Sequence, residues 1–369
     1  MPKRGDRLPT RWTRWPHTKA KHDLLVRYLR AWFPIMGRTA GRAIVLDAFA
    51  GPGRYDHGED GSPVLVLATL LDHNDFDNWK CEFVLVFNEL DPERFESLRG
   101  VLREIREDNQ PWPTKVKLLE PRNQSFEDLG NDMLQSLKGA SMAPTFAFID
   151  PFGYMGLPLD LIAQMLSFER CELFIYFDFN SVNRFATAGN VDAHFERLFG
   201  TDEFKDAPSA GPERQQFLHD LYERQLKSVC NFAHVRSFAM VNQTGHIGNY
   251  MFFCTRNLQA FDRMKEAMWK LAPSGDYRFE DRLADQPVLF DNEEATGPLR
   301  DYLLQHYAGQ TVAIKQLVDH VVAETPFHSA QVRRATLKPM QDDGLIQAFG
   351  QTRKGTYKEG VVSIVFPDP

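Results

Sequence analysis

Short, near-continuous apolar runs alternate with amphipathic stretches through the first half of the chain. Ala43–Leu46, Phe83–Phe87, Val116–Leu119, Thr145–Ile149 and Cys171–Phe177 are the apolar runs, rich in Val, Ile, Leu and Phe. Strands buried on both faces of a parallel sheet carry this pattern. Between them lie segments with helical periodicity. One starts at Ser62, with Ser62 as N-cap and Pro63 at the first helical position ahead of Val64–Leu71. The others are Pro92–Glu107, Phe126–Leu137 and Leu159–Leu166. Strand–helix repeats of this length predict an α/β, doubly wound sheet with right-handed crossovers. Val235–Val241 and Tyr250–Thr255 read as an antiparallel pair at the far edge of that sheet, after a largely helical stretch over 181–235.

The two ends of the chain have other rhythms. Lys21–Met36 is an amphipathic helix with Leu24, Leu25, Tyr28, Leu29 and Trp32 on one face, expected to stop near Pro34. After a helix over Leu258–Trp269, residues 273–298 are rich in Pro, Gly and acid and read as a linker. The last seventy or so residues predict helices at Leu299–Tyr307, Ile314–Val322 (capped by Thr311) and Ala330–Gln341 (beginning at Ser329), then strand character over Tyr357–Phe366. Three short helices and a β-hairpin describe a winged-helix-like domain. The domain plan is a basic arm and first helix over 1–42, the α/β domain over 43–290, and the winged-helix-like domain over 297–369.

Charge sharpens this division. The net charge of −7 conceals eleven Lys and Arg against two Asp in residues 1–42, followed by a strongly acidic middle. Such an arm, carrying Arg11, Arg14, Lys19 and Lys21 among Trp12, Trp15 and Trp32, suits a phosphate backbone and stacked bases. The competing reading docks the arm on the chain's own acidic middle. In the tail, Arg333, Arg334 and Lys338 lie on the third helix, where a winged helix meets nucleic acid. Winged helices also serve as protein-docking modules. Four widely spaced cysteines without a Cys-x-x-Cys pair argue against a disulfide framework or zinc site, so a reducing cytoplasm is expected. No apolar run is long enough to span a membrane.

Candidate chemistry collects where the strands end. Asp47, Glu89, Asp150 and Asp178 follow successive strands, along the edge where open α/β sheets bind ligands. After Asp47 comes a turn containing Phe49, Gly51 and Gly53, which lets bare backbone approach a ligand. The spacing is neither the dinucleotide fingerprint nor a P-loop. An acid ahead of the glycines repels phosphate and attracts an ammonium, so a cofactor with a cationic amine and no pyrophosphate, S-adenosylmethionine, fits best. Glu89 then suits ribose hydroxyls, and Phe126 with Gln124 or Ser125 suits an adenine ring. Asp150-Pro151-Phe152-Gly153 reads as a target-positioning turn in which a carboxylate or nearby carbonyl accepts an amine N–H and an aromatic ring stacks on the base. The alternative for these four residues is a strand-end turn with an N-capping acid. Among the histidines no metal spacing is visible, and no serine has a nucleophile-elbow context.

Three motifs, Asp47-Ala-Phe-Ala-Gly-Pro-Gly-Arg-Tyr55, Phe87-Asn-Glu-Leu-Asp-Pro92 and Phe148-Ile-Asp-Pro-Phe-Gly153, resemble those of the three-Cys-motif partner proteins (TcmP). The Lys21-His-x-Leu-Leu-x-x-Tyr28 run and the tail are similar too, so the resemblance covers most of the chain. The wider resemblance is to class I S-adenosylmethionine-dependent methyltransferases, and it implies a Rossmann-like methyltransferase sheet. It also implies that Asp47, Gly51 and Gly53 contact the methionine part of the cofactor (or of bound S-adenosylhomocysteine), and Glu89 the ribose. The Asp150 motif is similar to that of tRNA guanine-N2 dimethyltransferases. The expected function is therefore methylation of an amine on a nucleic-acid base. One alternative is a non-catalytic DNA-binding partner of a three-Cys radical-SAM-type protein, in DNA repair or modification. Another is a metal-dependent nuclease using two of the carboxylates.

Overall fold

The computed structural model describes residues 10–11, 13–151, 153, 157–185, 192–272, 275–280 and 296–368. Two units divide the chain: Met1–Asn257 with Phe279–Ala284, and Leu258–Arg278 with Asp285–Pro369.

The first unit is mixed α/β, built on a large, mostly parallel eight-stranded sheet. Its central strand, β1 (Arg42–Asp47), is buried at its last three positions, as an apolar run covered on both faces must be. In chain order there follow α2 (Ser62–Leu71), β2 (Glu82–Phe87), α3 (Pro92–Asp108), β3 (Val116–Leu118), α4 (Phe126–Leu137), β4 (Thr145–Ile149), α5 (Leu159–Met165) and β5 (Cys171–Phe177). Next come α6 (Phe179–Phe185), α7 (Asp192–Phe199), α8 (Gly211–Ser228), β6 (His234–Val241), β7 (Ile247–Thr255) and, further on, β8 (Arg278–Glu280). The sheet order is β3-β2-β1-β4-β5-β7-β6-β8. Strands β1 to β5 pair in parallel, and β7 runs antiparallel to both β5 and β6. The expected antiparallel pair is present, and it is β7, the later strand, that docks on β5.

Helix α1 (Pro16–Thr39) precedes the sheet and is longer than its sequence pattern predicts. It runs through Pro34 to Thr39 instead of stopping there. Proline removes the bond to the carbonyl four residues back, which here belongs to exposed Arg30, where water can replace it. The helix lays Tyr28, Trp32 and Phe33 on the sheet, with ring centroids 5.4 Å from Tyr28 to Phe146 and 5.4 Å from Phe33 to Phe83. At α2 the N-cap is Gly61, one residue ahead of Ser62, and no side chain caps it. Asp91 does cap α3, accepting from the Glu93 and Arg94 amides.

The second unit combines α9 (Leu258–Leu271), α10 (Gly297–His306), β9 (Thr311–Ala313), α11 (Ile314–Glu324), a π-helical turn (Gln331–Leu337), α12 (Lys338–Asp342), β10 (Gln347–Phe349) and β11 (Ser363–Val365). Its three strands form an antiparallel sheet in the order β10-β11-β9. Thr311 lies within β9, and Ala313 takes the N-cap of α11. The third tail helix is split into the π-helical turn and α12, and Ser329 bonds to Asp262 of α9. Lys265 of α9 is fully buried and donates to the Val322 and Thr325 carbonyls at 2.7 Å each, satisfying the end of α11. Among the described residues, no helix is long and apolar enough to cross a membrane.

Candidate functional site

The order in which successive strands are added reverses between the parallel neighbours β1 and β4, and in open α/β sheets a crevice opens at the carboxyl ends of such strands. Asp47 is the last residue of β1 and pairs in register with Phe148 of β4, two residues before Asp150. The two acids that the sequence singled out from separate strands therefore flank this switch point.

Asp47 is fully buried. Its Oδ1 accepts the Phe49 amide at 3.3 Å, while its Oδ2 is buried without a hydrogen-bond partner. Burial pushes its carboxyl up to about 7. The nearby Ser62 hydroxyl, which lies close enough to act on the charge but makes no well-aligned hydrogen bond to Asp47, and the Phe49 amide pull it partly back, and the charges of Asp150 and Glu89 push it further up.

The glycine turn folds back on neighbouring elements. Gly51 and Gly53 both adopt positive φ, 65° and 83°, which side-chain-bearing residues rarely do. The Gly51 amide donates to Glu89 Oε2 at 3.0 Å, and the Asp91 amide donates to Glu89 Oε1 at 2.8 Å. Glu89 is thus held rigidly against the turn after β1, and burial raises its carboxyl above the usual range. A carboxylate has about four acceptor positions, so each oxygen retains one for a further donor. Pro52 offers its carbonyl to Ser97 of α3 at 3.0 Å, and Gly61 closes the loop by donating to the Gly53 carbonyl at 2.9 Å.

Asn88 joins three strand ends. Its amide nitrogen donates to the Ala48 and Gln124 carbonyls, both at 3.1 Å, and its side-chain oxygen accepts the Gln124 amide at 3.2 Å. Sequence reasoning passed over this residue, whose only signal was an amide directly after a strand. In the loop so anchored, Ser125 is the N-cap of α4, accepting from the Asp128 amide at 3.0 Å and donating to Asp128 Oδ2 at 2.6 Å. Its hydroxyl proton is committed there. Gln124 bonds Asp132 through its nitrogen, while its Oε1 is buried with no partner. Phe126 is buried and stacks on half-buried Phe49, centroids 5.9 Å apart and planes 20° from parallel. Near the switch point, then, lie a stacked aromatic pair and two buried acceptors without a hydrogen-bond partner, Asp47 Oδ2 and Gln124 Oε1.

On the other side of the switch, Asp150 is engaged by Lys21 of α1, whose Nζ lies 2.7 and 2.6 Å from its two oxygens. Lys21, read from the sequence as a basic contact for phosphate, is buried at 6% exposure and belongs to the site. The signal was present: Lys21 falls on the same helical face as Leu24, Leu25 and Tyr28. Its neighbour His22 is buried with Nδ1 unpartnered and packs on Tyr55, centroids 5.9 Å apart. Burial, helped by the charges of Lys21 and Arg14, pushes this imidazole down to about 3, so it is neutral. Pro151 is buried and Gly153 has φ 94°. Phe152 lies outside the described residues. Asp178, after β5, bonds the Ser181 amide and hydroxyl at 3.1 and 2.6 Å and so caps α6.

The candidate nucleic-acid residues are dispersed. Arg11 reaches Ser97 of α3 at 3.3 Å, Arg14 is half-buried, and exposed Lys19 pairs with Asp23 at 2.6 Å. In the second unit, Arg333 pairs with Glu359, Lys338 pairs with Asp342, and Arg334 is exposed. Exposed pairs of this kind contribute little and yield readily to a phosphate. Among the described residues, no group of three or more His, Cys, Asp and Glu is placed to hold a metal ion.

No family model matches the chain, and no curated protein matches it. A solved structure described as a possible exported protein from Bordetella parapertussis aligns with 66% of this chain and 71% of its own, at 10% identity and a TM-score of 0.33. A likeness this distant carries no argument about function.

Proposed function

We propose that this protein is an S-adenosylmethionine-dependent methyltransferase-like protein acting on an amine of a nucleic-acid base, as the resemblance to TcmP and class I methyltransferases implies. The observation that carries the reading is the buried, unpartnered Asp47 Oδ2 at the switch point of the sheet, beside a glycine turn locked to Glu89. A buried polar atom without a partner is costly, and a bound donor removes that cost. The cofactor's amino-acid ammonium is a donor for Asp47 and its adenine amino group a donor for Gln124 Oε1. Its ribose hydroxyls meet the remaining acceptor positions of Glu89, and the Phe49–Phe126 pair provides the apolar wall. The residues present thus fit the group, and Asp47 can neutralise the ammonium once it loses its own proton. When bound, the cofactor supplies an electrophilic methyl group. Asp150 accepts an N–H of the target amine and orients it, so positioning does most of the work. The second unit, with its helices and small antiparallel sheet, is read as the winged-helix-like domain, and Arg334 with the arm residues Arg11, Arg14 and Lys19 supplies backbone contacts.

Titration calorimetry with S-adenosylhomocysteine tests this directly. Saturable binding that Asp47→Ala abolishes is expected, and no binding by the unaltered protein sinks the enzyme reading. A second reading, the non-catalytic partner of a radical-SAM-type protein, is favoured by the way Lys21 already occupies both Asp150 oxygens. It predicts nucleic-acid binding that Asp150→Ala leaves intact, with no transfer of a labelled methyl group.

A further inference from the structure

Lys21 is held by a carboxylate and an aromatic face, the two features that together recognise amines and ammonium groups. Besides its two contacts with Asp150, its Nζ sits 4.1 Å from the centre of the Tyr176 ring. Ile149 of β4 pairs with Ile175 of β5, so Asp150 and Tyr176, the next residues along two parallel strands, come side by side. Tyr176 is itself tied down: with the Asn249 amide turned so that its oxygen meets the Tyr176 hydroxyl, that bond is 2.6 Å long, and the Asn249 nitrogen donates to Asp178 at 2.9 Å. The two holders thus belong to the rigid carboxyl edge of the sheet, whereas the ammonium arrives from α1 on a long, flexible side chain.

We propose that Asp150 and the Tyr176 ring form the amine-binding position of the site, and that Lys21 fills it until a nucleic-acid strand draws the ammonium away. This rests on the methyltransferase reading and adds a requirement for a polymeric substrate. Withdrawing Lys21 separates a largely buried ion pair, and each charge then needs a new partner. An N–H of the target base satisfies Asp150. Only an anion satisfies Lys21, and a phosphodiester strand brings anion and amine together. A free nucleoside brings the amine alone and leaves Lys21 in place. Arg11 and Arg14, ten and seven residues earlier in the chain, add positive charge to the same stretch.

The test is the salt dependence of binding to a single-stranded oligonucleotide of mixed sequence, by fluorescence anisotropy on the full chain with S-adenosylhomocysteine present. Although Lys21 is buried and paired in the free protein, Lys21→Met lowers the slope of log K against log salt by about 0.7, the contribution of one phosphate contact, while Lys21→Arg keeps it. Asp150→Asn, which loosens the lysine without removing it, binds the oligonucleotide several-fold more tightly. Guanosine, adenosine and cytidine bind Lys21→Met at least tenfold more tightly than the unaltered protein. An unchanged slope in Lys21→Met overturns the proposal, and if that variant does not fold, equal or weaker oligonucleotide binding by Asp150→Asn does so. Nucleosides binding the unaltered protein as tightly as Lys21→Met also overturns it. Calorimetry on the same samples separates the two ideas. If S-adenosylhomocysteine binds and the slope does not move, Lys21 has no such role and the cofactor reading stands; if S-adenosylhomocysteine does not bind, both fall.

Discussion

Tyr28 donates its hydroxyl to Glu172 Oε2 at 2.6 Å, tying α1 to β5 through a buried carboxyl group. Burial pushes Glu172 up to about 7, and the Tyr28 bond pulls it partly back. Tyr28→Phe deletes this donor and leaves a buried acceptor unpaired, which costs about 1–3 kcal/mol. Urea unfolding at pH 8 reads the loss. Glu172→Gln in the Tyr28→Phe background is expected to recover part of it, because an amide carries no charge into the interior.

Asp47 sets the pH dependence of the site. Its folded value of about 7 lies above its ordinary 3.8. Between those values the folded chain holds a proton that the unfolded chain has released, so stability falls as pH rises through this window and the full penalty remains above it. Three units correspond to about 4 kcal/mol as an upper bound. Asp47→Asn should therefore raise the melting temperature at pH 8 and leave it nearly unchanged at pH 4. Equal shifts at both pH values would contradict the assignment.

On the proposed methyltransferase reading, the same proton competes with the cofactor. Holding an ammonium requires Asp47 ionised, so binding of S-adenosylhomocysteine should weaken on acidification, by up to about tenfold between pH 7 and pH 6 for one coupled proton. Calorimetry in buffers of different ionisation enthalpy should show proton release on binding at pH 6. In Asp47→Asn, binding is weak and that release disappears.

At Gly61 the backbone leaves no room for a methyl group: a Cβ would lie 2.8 Å from the Gly53 carbonyl oxygen. Gly61→Ala must push the two strands of the loop apart and break the 2.9 Å bond between them. Because Gly53 and Gly51 share that turn, the expected result is cofactor binding weakened tenfold or more with a stability loss of about 1–3 kcal/mol. Gly58→Ala, in open space on the same loop but at φ 84°, is the comparison: it strains only its own backbone and should leave binding within about threefold.

Lys265 tests the second unit independently. Lys265→Met keeps the apolar stem and removes the ammonium that satisfies the Val322 and Thr325 carbonyls. Stranding two buried acceptors at the end of α11 should cost about 2–4 kcal/mol. Hydrogen exchange is expected to show faster opening of α11, with β1 and β4 protected as before.

Much of the sheet and the row of acids along its carboxyl edge was legible in the chain, because both follow from local patterns. Apolar runs such as Phe83–Phe87 need no partner to be recognised as buried strands, and an acid directly after such a run stands at a strand end whatever the topology. Asp47, Glu89 and Asp150 were singled out this way. Other features depended on residues far apart in sequence. That β7 docks on β5 ahead of β6 is a choice among edges that no local pattern expresses. Pro34 lies inside α1 because the carbonyl it leaves unpaired faces outward, which depends on how the helix packs. Ser125 became a cap and Gln124 an unpartnered acceptor through the turn that Asn88 holds in place. Lys21 shows the division most clearly. Its sequence context marks a basic arm, yet its ammonium meets a carboxylate 129 positions away, and only the packing of α1 across the sheet edge brings the two together.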